Sequence, residues 1–261
     1  MEATVLASGS SGNSIYIEEG QAKMLVDAGL SGKMIEEKLS AVGKQPGEIQ
    51  GILVTHEHQD HIKGVGVLSR KYDIPVYATG ETWLKLESSI TPVCPGGQKE
   101  LKKQGFYLGD IWVEPFPLSH DAVDPVGFCL HGKSKKLGIA TDSGFFTPPM
   151  ISKLKDCHGL ILESNHDHDL LSKSSYPEFL KKRIRSRKGH ISNNTLVDNL
   201  PKLVNNQLNG MILAHLSEEN NCPDKVRATV SNVLSQLAEQ VGTHISFDIA
   251  DKYSPPVTME L

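Results

Sequence analysis

The sequence predicts a layered α/β fold, and three observations predict it. Short apolar runs of strand length recur along the chain, alternating with segments whose apolar residues repeat at helical spacing. Six of those runs end in an acid or a histidine: Asp27, His56, His120, Asp142, Glu163 and His215. The 261 residues, 38% apolar and 22% charged, have the length and ordinary globular composition to bury a sizeable core in a single domain, 1–261. Strands in register that all end in polar groups would bring those groups to one edge of the sheets, where layered α/β folds bind ligands.

Residues 3–9 begin as a strand and break into Ser8-Gly9-Ser10-Ser11-Gly12-Asn13-Ser14 before the run Ile15-Tyr16-Ile17 returns. Two glycines and four serines in seven residues let the backbone approach a ligand and offer N–H and hydroxyl donors to an anion. Ser8, Ser10, Ser11 and Asn13 are therefore candidates for phosphate contact, although a flexible hairpin turn explains the same composition. The spacing is neither a P-loop nor a dinucleotide fingerprint. Residues 23–26 form the next strand and end at Asp27, which reads either as a cap of the helix around Met34, Ile35 and Leu39 or as an acceptor orienting a metal-bound histidine.

The run 51–55 then delivers His56-Glu57-His58-Gln59-Asp60-His61, three imidazoles and two carboxylates in six residues. Neutral imidazole and carboxylate are the ligands that zinc, manganese and iron accept, and a short turn can bring several of them to a common point. A polar loop with chance histidines leaves that density unexplained. Residues 62–68 start a helix, 72–78 read as a strand, and 79–110 hold a short amphipathic helix with Trp83, Leu84 and Leu86 and then a Pro/Gly-rich turn.

Residues 111–119 are extended, with Pro115 and Pro117 marking an edge strand, and deliver His120. Residues 126–130 and 136–141 form a hairpin that ends at Asp142; 159–162 end at Glu163-Ser164-Asn165-His166, and 210–214 at His215. Three helices are predicted, over 177–187 with Ser175 as cap and Pro177 in its first turn, over 192–208, and over 224–240. Residues 244–250 alternate as a last strand.

A formal charge of −4 gives no general attraction to nucleic acid or to a membrane surface, so an anionic substrate needs a local positive site. Six of the eight residues from Lys181 to Lys188 are Lys or Arg; this block could grip a polyanion, or be a solvated helix face. No run approaches the length of a membrane span and the N-terminus lacks a leader pattern, so a cytoplasmic protein is expected. Cys94, Cys129, Cys157 and Cys222 are far apart without a Cys-x-x-Cys, and are expected to be reduced and mostly buried.

With these residues laid out, the chain resembles the metallo-β-lactamase-fold hydrolases over nearly its whole length. The His-x-His-x-Asp-His motif stands as His56, His58, Asp60 and His61, followed by the isolated His120, the bridging Asp142 and the final His215. The resemblance implies a four-layer αββα sandwich, one metal on His56, His58 and His120, a second on Asp60, His61 and His215, and Asp142 between them. Asp27 matches the family's structural acid. The segments Ala7-Ser8-Gly9-Ser10-Ser11-Gly12-Asn13, Glu163-Ser164-Asn165-His166-Asp167, Gly189-His190-Ile191-Ser192-Asn193 and Ala214-His215-Leu216-Ser217-Glu218-Glu219-Asn220 are similar to those of the YycJ (WalJ) group of bacterial exonucleases.

That resemblance implies a metal-dependent phosphodiesterase, a 5′-to-3′ DNA exonuclease acting on DNA with a 5′ phosphate in DNA repair. The alternatives are a thioester or lactam hydrolase of the same fold and an RNA-processing nuclease. Two divalent cations are implied, manganese favoured, with zinc or iron acceptable to the same ligands; such a pair activates a bridging hydroxide and clamps phosphate oxygens. Asp60 is expected to accept a hydrogen bond from that hydroxide. His190 is expected to contact the scissile phosphate or protonate the leaving oxygen, with Ser192 and Asn193 near the substrate and Glu163 and His166 behind the metal ligands.

Overall fold

A computed structural model describes residues 1–261. Its strands form two seven-stranded mixed sheets. The first has the order β14 (Val257–Glu260), β1 (Glu2–Ala7), β2 (Ser14–Glu19), β3 (Ala22–Val26), β4 (Gly51–Leu53), β5 (Val76–Ala78), β6 (Gln98–Glu100). The second has the order β13 (Ser246–Ile249), β12 (Gly210–Ala214), β11 (Gly159–Glu163), β10 (Lys136–Ala140), β9 (Val126–His131), β8 (Ile111–Pro117), β7 (Phe106–Leu108).

Strand side chains alternate between faces, and here both faces of each sheet are covered. On β2, Ile15 and Ile17 point between the sheets while Tyr16 points to the outer helices; on β12, Ile212 and Ala214 point inward while Met211 and Leu213 point outward. Three apolar layers of 22, 22 and 18 buried residues result, which is what four layers of secondary structure require. The helices α1 (Gly32–Ala41), α3 (Val65–Tyr72) and α4 (Gly80–Ser89) cover the first sheet, and α5 (Pro148–Leu154), α8 (Asn193–Leu203) and α9 (Pro223–Val241) cover the second. The short α2 (Gln59–Ile62), α6 (His168–Lys173) and α7 (Glu178–Ile184) lie in the loops that follow β4 and β11. The αββα sandwich expected from the resemblance is the fold observed.

Strand direction decides where the site forms. β3, β4, β5 and β6 are parallel, as are β10, β11 and β12, and β8 runs the same way because β9 is antiparallel to both β8 and β10. The runs ending at Asp27, His56, His120, Asp142, Glu163 and His215 therefore finish on common sheet edges.

Several expectations need correction. β8 is not an edge strand: it pairs with β7 and β9, but β7 reaches only residues 111–113, so Pro115 and Pro117 lie beyond it where no partner asks for their missing N–H. Tyr72 ends α3 instead of opening β5, because Asp73 turns left-handed at the helix C-terminus. Leu84 is exposed, leaving Trp83 and Leu86 as the buried face of α4. α7 is capped by Pro177 itself, with no side-chain cap from Ser175, and ends at Ile184. α8 stops at Leu203 because the Asn205 carboxamide accepts from the N–H groups of Gln207 and Leu208, offering the backbone a turn in place of a further helical one. β14 completes the first sheet beside β1 and was not expected; only Met259 of its four residues is buried, so its pattern is too weak to read.

Candidate metal centre

The turn after β4 places His56, His58, Asp60 and His61 around α2, with His58 as its N-terminal cap residue. The turn can fold this tightly because glycines admit neighbouring backbone. A Cβ on Gly29 would lie 1.7 Å from the Asp60 carbonyl oxygen and 2.6 Å from the Asn13 N, and one on Gly64 would lie 2.5 Å from the Leu30 carbonyl oxygen. The loops at 8–13, 27–30 and 60–64 thus pack backbone against backbone.

His58 Nδ1 lies 3.0 Å from His56 Nε2 and 3.3 Å from His120 Nε2. The His120 Nδ1 donates to the Gly189 carbonyl at 3.0 Å, which leaves His120 Nε2 with its lone pair toward the other two rings. Burial, and then the charge on His61, hold the His56 pKa well below its ordinary value; burial also lowers that of His120. His56 and His120 are therefore held as neutral imidazole, and the ring nitrogens of all three histidines crowd about one point.

The adjoining set pairs carboxylates with imidazoles. His61 Nε2 lies 3.1 Å from Asp142 Oδ2 and 3.5 Å from Asp60 Oδ2, and His215 Nε2 lies 3.3 Å from Asp142 Oδ1 and 3.7 Å from Asp60 Oδ2. Asp142 Oδ1 is also 4.0 Å from His120 Nε2, so this carboxylate stands between the two sets. Burial opposes charge on His61 and His215, but carboxylates prevail: Asp27 and Asp142 raise His61 well above the ordinary range, and Asp142, Asp60 and Glu163 raise His215 to about 10. Asp60 and Asp142 are held below the usual carboxylate range against burial, by the same two histidines.

Each of these imidazoles has an oriented far nitrogen. The His61 Nδ1 donates to Asp27 Oδ2 at 2.7 Å, and Asp27 also accepts from the Thr55 N–H and hydroxyl, both at 2.8 Å. Asp27 therefore orients His61, while α1 is capped by Ser31. The His215 Nδ1 and His190 Nδ1 both donate to Glu163 Oε1, at 3.0 and 2.7 Å, and Glu163 Oε2 accepts from the backbone N–H of Ser143 and Ile191. Glu163 is fully buried; burial opposes its charge, but His190 and His215 bring its pKa down to about 2. His190 is half-buried, its ring stacked at 5.2 Å on that of His215.

Three of the strand ends are strained. Asp27, Asp142 and His215 have φ of 61°, 61° and 56°, a left-handed region that costs a non-glycine residue about 1 kcal/mol or more. Each turn aims its side chain back across the sheet edge.

The residues fit divalent cations. Asp142 Oδ2 and His215 Nε2 are buried with no hydrogen-bond partner, an arrangement proteins avoid unless something else satisfies the atoms. The sets His56/His58/His120, His56/His61/Asp142 and Asp60/His61/His215 each bring their ligand atoms within 4.8 Å of one another, and imidazole with carboxylate suits first-row divalent ions.

The structure brings all seven expected ligand side chains together, with Asp27, Glu163 and His190 against them. The remaining expectations fare differently. Ser8 and Asn13 are buried and brace the site from within: the Ser8 Oγ accepts from the His215 N–H at 2.6 Å, and Asn13 Nδ2 donates to Asp60 Oδ2 at 3.2 Å. Ser192 and Asn193 are likewise buried. Ser192 caps α8 and Asn193 bonds Ser164 and Asn221, so their polar groups are taken up inside the fold. Ser10 and Ser11 are exposed. His166 is buried outside the cluster, its Nδ1 unpartnered and its pKa lowered by burial to about 4. Thr55 and Asn165 lie in the quoted stretches but were assigned no role; Asn165 Nδ2 donates to the His215 carbonyl at 3.0 Å. Their signal was position alone, one residue before the histidine motif and two after Glu163.

The basic block is partly consumed. Lys181 is buried with its Nζ on the Ser172 carbonyl, Arg185 reaches the Ser172 hydroxyl, and Arg183 pairs with Asp121. No helix is long and apolar enough to cross a membrane. None of the cysteines is bonded to another; Cys94, Cys129 and Cys157 are buried and Cys222 is exposed.

Comparison with known proteins identifies the family and the fold. A family model described as the metallo-beta-lactamase superfamily matches residues 7–172. The chain is 41% identical over 250 residues to Exodeoxyribonuclease YycJ of Bacillus anthracis, covering 95% of this chain and 94% of that one. It is 39% identical over 259 residues to Exodeoxyribonuclease WalJ of Streptococcus pneumoniae (strain D39), covering 98% and 96%. Among solved structures, the metallo-beta-lactamase fold protein YhfI from Bacillus subtilis superposes with a TM-score of 0.72 at 16% identity, over 99% of both chains.

Proposed function

The chain belongs to the metallo-beta-lactamase superfamily, and from that premise we propose that it is a cytoplasmic, single-domain 5′-to-3′ exodeoxyribonuclease. Its substrate on this reading is DNA with a 5′ phosphate, and its cations are two, manganese by preference. The observation that carries the reading is Asp142, whose buried carboxylate stands between the His56/His58/His120 set and the Asp60/His61/His215 set. The near-full-length similarity to proteins named exodeoxyribonucleases supports the choice of substrate.

His56, His58 and His120 would hold one cation, Asp60, His61 and His215 the other, and Asp142 both. Bound there, the cations supply the charge that lowers the pKa of a water and neutralises phosphate oxygens. The protein's own contribution is orientation. Asp27 with Thr55, the Gly189 carbonyl and Glu163 each take the far nitrogen of a ligand histidine, fixing its tautomer and its ring plane. Asn13 holds the Asp60 carboxylate in place as an acceptor. Glu163 accepts a hydrogen bond from His190 Nδ1, which leaves His190 Nε2 as the atom to contact the scissile phosphate or deliver a proton to the leaving oxygen.

The test is a substrate panel with and without chelator. The purified protein should contain two ions per chain and, with manganese, cleave both a 5′-phosphorylated DNA strand and a generic aryl phosphodiester. His61→Ala should abolish both activities. Turnover of a lactam or a glutathione thioester with neither phosphodiester would overturn the reading.

A further inference from the structure

The rim beside His120 and His190 carries aromatic surface as well as charge. α7 buries Lys181 and Ile184 and turns Phe179, Lys182 and Arg183 outward on one face, at positions that neighbour one another along a helix. Phe179 is 74% exposed, so packing gives no reason for an aromatic ring among cations. The face adjoins the metal centre: Arg183 pairs with Asp121, whose other oxygen lies 3.3 Å from His120 Nε2. Beyond it, the Arg187 guanidinium lies 3.8 Å over the ring of Phe145, three residues after Asp142, and its backbone is tied down by the Ser119 hydroxyl.

Flat surfaces thus stand at both ends of this rim, with the free amine of Lys182 between them. Aromatic rings and guanidinium planes stack unpaired bases, while amines meet the backbone. A cleft of about 840 Å³ between α4, β6 and β8 is a poorer path for a polyanion, since Glu81, Glu100 and Asp124 outnumber Lys102 and Lys103 there.

We propose that this face is a track for single-stranded nucleic acid. A base near the scissile bond stacks on Arg187 where it lies over Phe145, Lys182 meets a phosphate, and Phe179 stacks a base farther along the strand. A duplex keeps its bases stacked on each other and cannot use Phe179, so the track selects an unpaired strand. The inference rests on the nuclease reading and adds to it where the strand lies and which form of nucleic acid is held.

The experiment is fluorescence anisotropy with metal-loaded protein and 5′-phosphorylated oligonucleotides carrying phosphorothioate linkages to slow cleavage. Phe179→Ala should weaken binding of a single strand about fivefold or more, as expected for the loss of one stacked base. Phe179→Trp should restore it, and the affinity for a blunt duplex should not move. Equal affinity of Phe179→Ala and wild type for the single strand, or an equal loss for strand and duplex, would overturn the track even if the wild type cleaves DNA. A wild type that cleaves no phosphodiester takes down the nuclease reading instead, and the two failures are separate measurements.

Discussion

The two halves of the centre are built in different ways. The first sheet contributes His56, His58, Asp60 and His61 from one turn, where neighbours in sequence are neighbours in space and ordinary backbone suffices. The second contributes His120, Asp142, Glu163, His190 and His215 from separate strand ends and loops, with Asp142 and His215 in the left-handed region. The far-nitrogen acceptors differ too. Asp27 serves His61 together with the Thr55 beside it, whereas Glu163 serves both a ligand, His215, and the candidate proton donor, His190. A local turn can therefore lose an acceptor and keep its shape, while the convergent half couples metal binding to proton delivery through one carboxylate.

The largest expected effect removes the residue the halves share. Asp142→Ala should leave no measurable hydrolysis of either phosphodiester and fewer than two ions per chain by elemental analysis. Glu163→Gln comes next: it keeps the shape but not the charge, and should cost about 100-fold in kcat/KM without rescue by excess manganese. Added to His190→Ala it should cost less than the sum of the two singly, because both act through one hydrogen bond. Asp27→Asn should weaken metal binding about 10- to 100-fold and recover most of its rate at saturating manganese. Rescue of Glu163→Gln by metal, with none for Asp27→Asn, would erase the proposed division between the halves.

The smallest expected effect lies behind the centre. Burial lowers the pKa of His166 from 6.5 to about 4, so between those values the unfolded chain binds a proton that the folded chain refuses. Stability should then fall as pH drops through that window, by up to about 1.4 kcal/mol per unit from this group. Urea midpoints of the wild type and His166→Asn should diverge below pH 6.5, the wild type losing more.

The sequence by itself determined the strands that end in acids and histidines, and with them the edge on which the centre forms. Apolar runs that stop at a metal-ligand side chain are local patterns, and parallel strands turn such patterns into one site. His56 to His61 was readable because density in six residues needs no tertiary argument. The resemblance then supplied the partition into two metal sets, which spacing alone left open.

Only the tertiary structure decided what stands behind the ligands. Ser8 and Asn13 lie in a loop with the composition of a phosphate cradle, yet their polar groups hold His215 and Asp60, while Ser192 caps α8 and Asn193 joins the buried Ser164–Asn221 network. Asp27 could have capped a helix, and its left-handed turn instead sends the carboxylate to Thr55 and His61. The physical reason is common to all of them. A polar side chain shows in the sequence what it can donate or accept, but its partner is set by which backbone is packed beside it, and at this centre those partners come from as far apart as Ser8 and His215.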